Sequence, residues 1–139
     1  MDNLPTEIEG MEVIWYTDDL YPSLIPIVAS VRAKLSARLG AFIGKGLSRE
    51  VYVSERYVYK LPYTDKGIND NYYEARICKQ SISRCAPCRV IHIQDIPILV
   101  MERLDLKLSK EEIPEWADWI DCRQVGRSRS GKILAYDFA

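Results

Sequence analysis

Three features in the middle of the chain carry groups that could bind a phosphate. Gly44 and Gly46 stand one residue apart at a predicted strand turn, where the lack of side chains lets the backbone approach a phosphate closely. Val51 follows them and would lie under an adenine ring. Lys60 ends an apolar strand, and an inward-pointing ammonium needs an anionic partner. Glu74, on the next predicted helix, can supply that partner. The alternative is that the glycines form a plain hairpin turn and that Lys60 and Glu74 are two unrelated surface charges.

Two later segments add polar groups at the ends of strands. A buried strand predicted from 98 ends at Met101 and Glu102, which suits a linker beside an adenine cleft. In the last predicted hairpin, Gln124 enters one strand and Asp137 leaves the next. Such a hairpin can hold two oxygen ligands near one Mg²⁺ ion.

The order and spacing of these residues resemble the protein-kinase-like superfamily over roughly residues 40–139. In that family a glycine loop covers the phosphates of ATP, a strand lysine holds the α- and β-phosphates, and a helix glutamate fixes the lysine. The resemblance gives the last two roles to Lys60 and Glu74. It also places Met101 near the gatekeeper position and Glu102 at the opening of the hinge.

The same resemblance implies a magnesium site and therefore ATP and Mg²⁺ as ligands. Asp137-Phe-Ala is similar to the D-F-G sequence whose aspartate binds the metal, with alanine in place of glycine. Gln124 stands where the family has a metal-binding Asn, and glutamine is the longer and weaker ligand.

The chain departs from the family where the catalytic base should be. That position is Trp119, and Asp118 and Asp121 flank it at the wrong offsets. The sequence also stops two residues after Asp137, so we expect no counterpart of the activation segment and substrate-binding helices. A compact, phage-type kinase-like protein would fit this layout.

Three functional hypotheses follow. The first is a degenerate kinase-like module that binds a protein partner, with nucleotide in its cleft. The second is a small active phosphotransferase in which Asp121 or Asp118 aligns the acceptor hydroxyl. The third is an unrelated α+β inhibitor or interaction protein whose spacings are accidental.

The hydrophobic periodicity predicts the α+β class. We expect a kinase-like N-lobe, with about five antiparallel strands and one C-type helix, an extra N-terminal helix, and a residual C-lobe hairpin. The single domain, 1–139, would divide into an arm and helix (1–40), an N-lobe-like part (41–104) and a catalytic and metal hairpin (105–139). The predicted elements are a helix ending at 40, a strand over 41–46, a hairpin with arms 51–53 and 57–61, a loop over 64–71, a helix over 71–83, strands over 88–93 and 98–102, a helix over 114–120, and a hairpin over 124–137.

Composition narrows the class of protein. With 19 basic and 20 acidic residues, the formal charge of −1 gives no electrostatic argument for binding nucleic acid or an anionic membrane. The first residues lack the basic-then-apolar order of a signal peptide, so we expect a cytoplasmic protein. Cys85 and Cys88 have the spacing of a metal knuckle or a redox pair. Cys78 and Cys122 stand apart and no thioredoxin-like βαβ pattern surrounds the pair, which favours reduced, partly buried thiols.

Overall fold

The computed structural model describes residues 7–8, 11–12, 20–80, 84–119 and 124–136. Two α-helices lie within these ranges, α1 (Ile25–Leu39) and α2 (Asp65–Gln80). The strands are β1 (Glu7–Ile8), β2 (Met11–Glu12), β3 (Gly44–Lys45), β4 (Arg49–Val53), β5 (Tyr57–Pro62), β6 (Cys88–Ile93), β7 (Ile96–Glu102), β8 (Val125–Arg127) and β9 (Ile133–Ala135). Short 3₁₀ segments cover Pro22–Leu24, Lys110–Glu112 and Glu115–Trp119.

Five strands form one antiparallel sheet in the order β3-β4-β5-β7-β6, so the α+β class and the five-stranded sheet predicted from the sequence are confirmed. The register places Val51 opposite Lys60 and Tyr59 opposite Val100. Side chains directly opposite each other share a face of a sheet. Val51 and Lys60 therefore point to one face, here called the inner face, and Tyr59 and Val100 point to the outer face. Strands β1 with β2, and β8 with β9, form separate antiparallel pairs.

Helix α1 covers part of the outer face. Its buried residues Val28, Val31 and Leu35 recur at steps of three and four, which gives the helix one apolar side. They pack on buried side chains of three strands: Tyr52, Leu61, Ile96 and Ile98. The helix ends at Gly40, whose positive φ of 83° suits glycine.

The inner face packs against α2 and the β8–β9 hairpin. Leu99 and Met101 of β7 form a second core cluster with Ala86, Leu104 and Leu134. Backbone hydrogen bonds hold the hairpin in place, with the Ala86 N–H donating to the carbonyl of Ala135 at 2.8 Å. This packing sets the β8–β9 hairpin beside the carboxyl end of β7.

The loop predicted over 64–71 is wrong, because α2 begins at Asp65. The Thr64 hydroxyl accepts a hydrogen bond from the Gly67 N–H at 2.9 Å and caps the first turn. A Cβ atom at Gly67 would lie 2.2 Å from the carbonyl oxygen of Ser48. The glycine therefore permits close packing of the helix on the loop before β4, and it does not mark a turn.

Other predicted boundaries shift for local reasons. The helix predicted over 114–120 is the 3₁₀ segment Glu115–Trp119, and the strand predicted over 41–46 is reduced to β3. Strand β7 begins two residues earlier than predicted, at Ile96. The turn before it is made by Gln94 and Asp95, which take left-handed φ values of 50° and 67°.

Candidate functional site

A buried cluster of charges lies between the inner face of the sheet and α2. The Lys60 ammonium donates to both carboxylate oxygens of Glu74, at 3.1 and 3.4 Å, and to the carbonyl of Tyr136 at 3.1 Å. The Glu74 side chain is fully buried and that of Lys60 is 7% exposed. Because an unpaired charge is very costly at such depth, each of these groups depends on the other.

Arg49 of β4 adds a second cation to the same carboxylate. Its Nη2 lies 2.6 Å from Glu74 Oε1, and its Nη1 donates to the Asn71 side-chain oxygen at 3.2 Å. The Asn71 amide in turn donates to the carbonyls of Lys60 and Pro97, at 3.0 and 2.8 Å. These bonds attach α2 to three strands at the level of Lys60. Arg49 was not among the residues expected at the site, although its position two residues before Val51 places it on the inner face.

An apolar cleft of about 470 Å³ opens on one side of Lys60. It lies between the inner face and the segment that follows β7. Its apolar lining is Ile43, Val51, Val53, Val58, Met101, Leu104, Leu106 and Tyr136, and its polar lining is Lys60, Glu102, Arg103, Asp105 and Lys107. Apolar walls with a few polar groups are typical of small-ligand sites.

A cationic pocket of about 560 Å³ adjoins the apolar cleft and is also lined by Lys60. The loop from Gly44 to Arg49 forms one wall, and Val51 and Lys60 line this pocket as well as the apolar cleft. Its basic lining residues are Lys45, Arg49, Lys60 and Lys66, against one acidic residue, Asp70. Together the two cavities provide an apolar compartment next to one with an excess of positive charge.

Hydrogen bonds fix the loop that covers the cationic pocket. The Ser48 hydroxyl donates to Asp70 of α2 at 2.9 Å, and Lys66 contacts the same carboxylate at 2.9 Å. The Tyr63 hydroxyl donates to the carbonyl of Gly46. The Lys45 ammonium lies 4.5 Å from the centre of the Tyr63 ring, within cation–π range. The loop is thereby tied to α2 and to Tyr63, the residue that follows β5.

The structure gathers most of the residues singled out in the sequence around these two cavities. Gly44, Gly46 and Gln124 line the cationic pocket, and Met101 and Glu102 line the apolar cleft. Val51 and Lys60 line both, and Glu74 lies behind Lys60.

Three of the expected site residues are not placed in this way. Asp121 and Asp137 lie outside the described residues, and Asp118 is described only as part of the Glu115–Trp119 segment. The position of Gln124 in the cationic pocket is therefore the only part of the expected metal and catalytic set that the described residues locate.

Three cysteines lie on or near α2: Cys78 on the helix and Cys85 are buried, and Cys88 packs against the second core cluster. The thiol of Cys78 donates to the carbonyl of Ala86 at 3.4 Å, and that of Cys88 to the carbonyl of Glu74 at 3.8 Å. Burial raises the pKa of Cys85 to about 11, and burial likewise raises the pKa of Cys88. Within the described ranges no three His, Cys, Asp or Glu side chains are arranged to hold a metal ion. Cys122 lies outside those ranges.

Comparison of the chain with protein-family models, with curated proteins and with solved structures finds no match.

Over the described part of the chain, none of the helices has the length and apolar character needed to cross a bilayer.

Proposed function

We propose that this chain is a degenerate kinase-like module that binds ATP with Mg²⁺ in the cleft beside Lys60 and engages a protein partner. The observation that carries the nucleotide part is the position of Lys60, which lines both the apolar cleft and the cationic pocket. A purine requires an apolar slot, and its triphosphate requires cations next to that slot. The two compartments meet these requirements and share Lys60 as a lining residue.

The arrangement of the sheet supports the kinase-like part of the proposal. A lysine on the third strand pairs with a glutamate on the helix that follows it, and the glycine-containing turn joins the first two strands. The protein-kinase fold uses the same parts to hold a nucleotide. Glu102 at the end of β7 and Asp105 in the segment that follows line the apolar cleft, at the place where that fold has its hinge.

The residues present fit a nucleotide with its metal. When bound, Mg²⁺ would neutralise phosphate charge, and the amide oxygen of Gln124 is a suitable hard ligand in the cationic pocket. Lys60 would bind phosphate oxygens while Glu74 holds its ammonium in place. Arg49 and Lys66 would add positive charge at the same end.

We favour binding over phosphate transfer because Trp119 occupies the sequence position of the family's catalytic base. An active phosphotransferase is the second candidate, and the observation in its favour is that Gln124 lines the cationic pocket beside Lys60. Incubation with γ-labelled ATP and a panel of acceptors separates the two. Label transfer that disappears in Asp137→Ala would support an enzyme, and its absence would leave a binding module.

Calorimetric titration with ATP and Mg²⁺ tests the nucleotide part. We expect the wild type to bind, and Lys60→Met to lose roughly tenfold or more in affinity, the value of one hydrogen bond to a charged group. Lys34→Met is the matched control, since Lys34 lies on α1 and bonds to Gln94 on the far side of the sheet. Equal affinity in all three proteins would overturn the nucleotide site. An absence of binding in the wild type would instead favour an unrelated α+β interaction protein.

A further inference from the structure

Helix α1 leaves one end of the sheet's outer face uncovered. Its buried contacts are with Tyr52, Leu61, Ile96 and Ile98. At the edge of this core, β5, β7 and β6 contribute a transverse row in which Tyr59 lies opposite Val100, and Val100 lies opposite Arg89. Tyr59 packs against the core on one side and remains partly exposed.

A groove of about 630 Å³ crosses this uncovered end. Its floor includes Tyr57, Tyr59, Ile91 and Val100, all of which are at least partly exposed, and Tyr57 is 45% exposed. An aromatic and aliphatic floor of this kind can accept an apolar side chain from another molecule.

The rim of the groove is positively charged. Arg56, Arg89 and Arg129 line it and are all exposed, whereas Glu102 is the one acidic residue among the lining residues. The Glu102 carboxylate already accepts a hydrogen bond from the Arg129 backbone N–H at 3.1 Å. The chain as a whole has a formal charge of −1, so this excess of positive charge is local.

We infer that the groove docks an acidic segment of a partner protein that carries an aromatic or aliphatic anchor. Three guanidinium groups around an apolar floor match carboxylates that flank an apolar side chain, because arginine binds carboxylates through paired hydrogen bonds. Arg129 lies 3.9 Å from the exposed Glu55 carboxylate, a contact that a partner carboxylate would replace. Tyrosine and arginine are also the residues on which binding energy concentrates at protein interfaces. This inference rests on the partner-binding part of the proposed function and is independent of its nucleotide part.

Two features favour a peptide over a nucleic acid as the partner: the small number of positive charges around the groove and its apolar floor. Affinity for nucleic acid depends on neutralising several successive phosphates with a basic track. Here the three arginines surround an apolar surface, and the chain as a whole has a formal charge of −1. A single apolar anchor flanked by carboxylates uses both features of the groove.

Fluorescence anisotropy without nucleotide tests this inference. The probe is a fluorescein-labelled dodecapeptide of alternating glutamate and phenylalanine or leucine, at about 150 mM salt so that weak long-range attraction is screened. We expect saturable binding to the wild type and roughly a tenfold loss in Arg89→Glu and in Arg129→Glu. Arg38→Glu is the matched control, because Arg38 is an exposed arginine near the end of α1 and lies outside the groove. It should bind as the wild type does.

Two further probes decide the chemistry of the partner. Replacing the glutamates with lysine, or the apolar residues with serine, should each abolish most of the binding. Equal binding of either altered peptide, equal affinity of Arg38→Glu and Arg89→Glu, or a single-stranded oligonucleotide that binds as well as the peptide would overturn the inference. Thermal unfolding of each variant verifies that it is folded. Absent peptide binding alongside intact ATP binding would refute only this surface, whereas peptide binding without ATP binding would refute only the nucleotide site.

Discussion

The ammonium of Lys60 lies 3.1 Å from the carboxylate of Glu74, and neither side chain has more than 7% of its surface exposed. A second cation, Arg49, contacts the same carboxylate at 2.6 Å. Losing one cation and losing the carboxylate should therefore have different effects on stability. Without one cation the carboxylate is still paired, whereas without the carboxylate two cations face each other. The stability of the fold should depend on this asymmetry.

The free energy of unfolding should fall most when Glu74 is neutralised. Glu74→Gln keeps the shape of the side chain but removes the buried counter-charge, and we expect a loss of about 3–5 kcal/mol. Lys60→Met should cost less, because Arg49 still holds the carboxylate. Urea unfolding measures both changes.

Lys66→Met is the control for this comparison, since Lys66 pairs with Asp70 but has 48% of its side chain exposed. Its loss should not exceed about 1 kcal/mol. Equal losses in Lys60→Met and Glu74→Gln would show that Arg49 does not hold the carboxylate.

Replacing Gly67 with alanine should destabilise the protein even though alanine is the better helix former by about 1 kcal/mol. The new Cβ would lie 2.2 Å from the carbonyl oxygen of Ser48 and 3.0 Å from the Cβ of Pro62. We expect a net loss of about 1–3 kcal/mol, the usual range for overpacking. In Gly44→Ala the Cβ would meet no atom within 4 Å, so the free energy of unfolding should change by about 0.5 kcal/mol or less. A stabilised Gly67→Ala protein would contradict the close contact.

Gly67 also illustrates what the sequence could and could not predict. The strands of the central sheet were predictable because Val51–Val53 and 57–61 alternate, and the apolar face of α1 was predictable from its spacing. The first turn of α2 was not, since its polar residues and Gly67 resemble a loop when their packing partners are unknown. The contact that explains this glycine comes from Ser48, which is distant in sequence.

In the candidate site, too, one contact was predictable from the sequence and another was not. An ammonium at the end of an apolar strand needs an anion, and this requirement was enough to expect Lys60 to meet Glu74. The spacing of Arg49 from Val51 indicates the inner face, but its contact with Glu74 was not predictable, because arginine side chains are usually exposed. Only the three-dimensional packing of α2 on the sheet brings the guanidinium of Arg49 to the same carboxylate.

In the proposed nucleotide site, Lys66→Met should weaken binding of the phosphates without changing binding of the base. Lys66 lines the cationic pocket but not the apolar cleft. We therefore expect roughly a tenfold loss of affinity for ATP and an unchanged affinity for adenosine. Lys34→Met, on the outer face, should leave both affinities unchanged. Titrations with the two ligands measure the split, and an equal loss for adenosine would place the base and not the phosphates beside Lys66.

The thiol of Cys85 should titrate far above the usual range. Burial raises its pKa from 9.0 to about 11, so at pH 8 it should have roughly a hundredth of the thiolate of an unshifted cysteine. We expect its alkylation rate in the folded protein to rise until about pH 11, whereas in urea the rate should level off near pH 9. Mass spectrometry in a Cys122→Ser background, with rates followed site by site, distinguishes Cys85 from the other thiols.

The same shift fixes the direction of the pH dependence of stability. Because the folded protein holds the Cys85 proton more tightly than the unfolded chain, this contribution is complete below about pH 9 and is lost as the pH rises toward 11. Cys85→Ala removes the titrating group, so its free energy of unfolding should fall less steeply over that interval than that of the wild type. Two outcomes would contradict this: identical slopes in the two proteins, or labelling in the folded state that levels off near pH 9. Either would show that the thiol is accessible to solvent and that the core around Ala86 and Ala135 is open there.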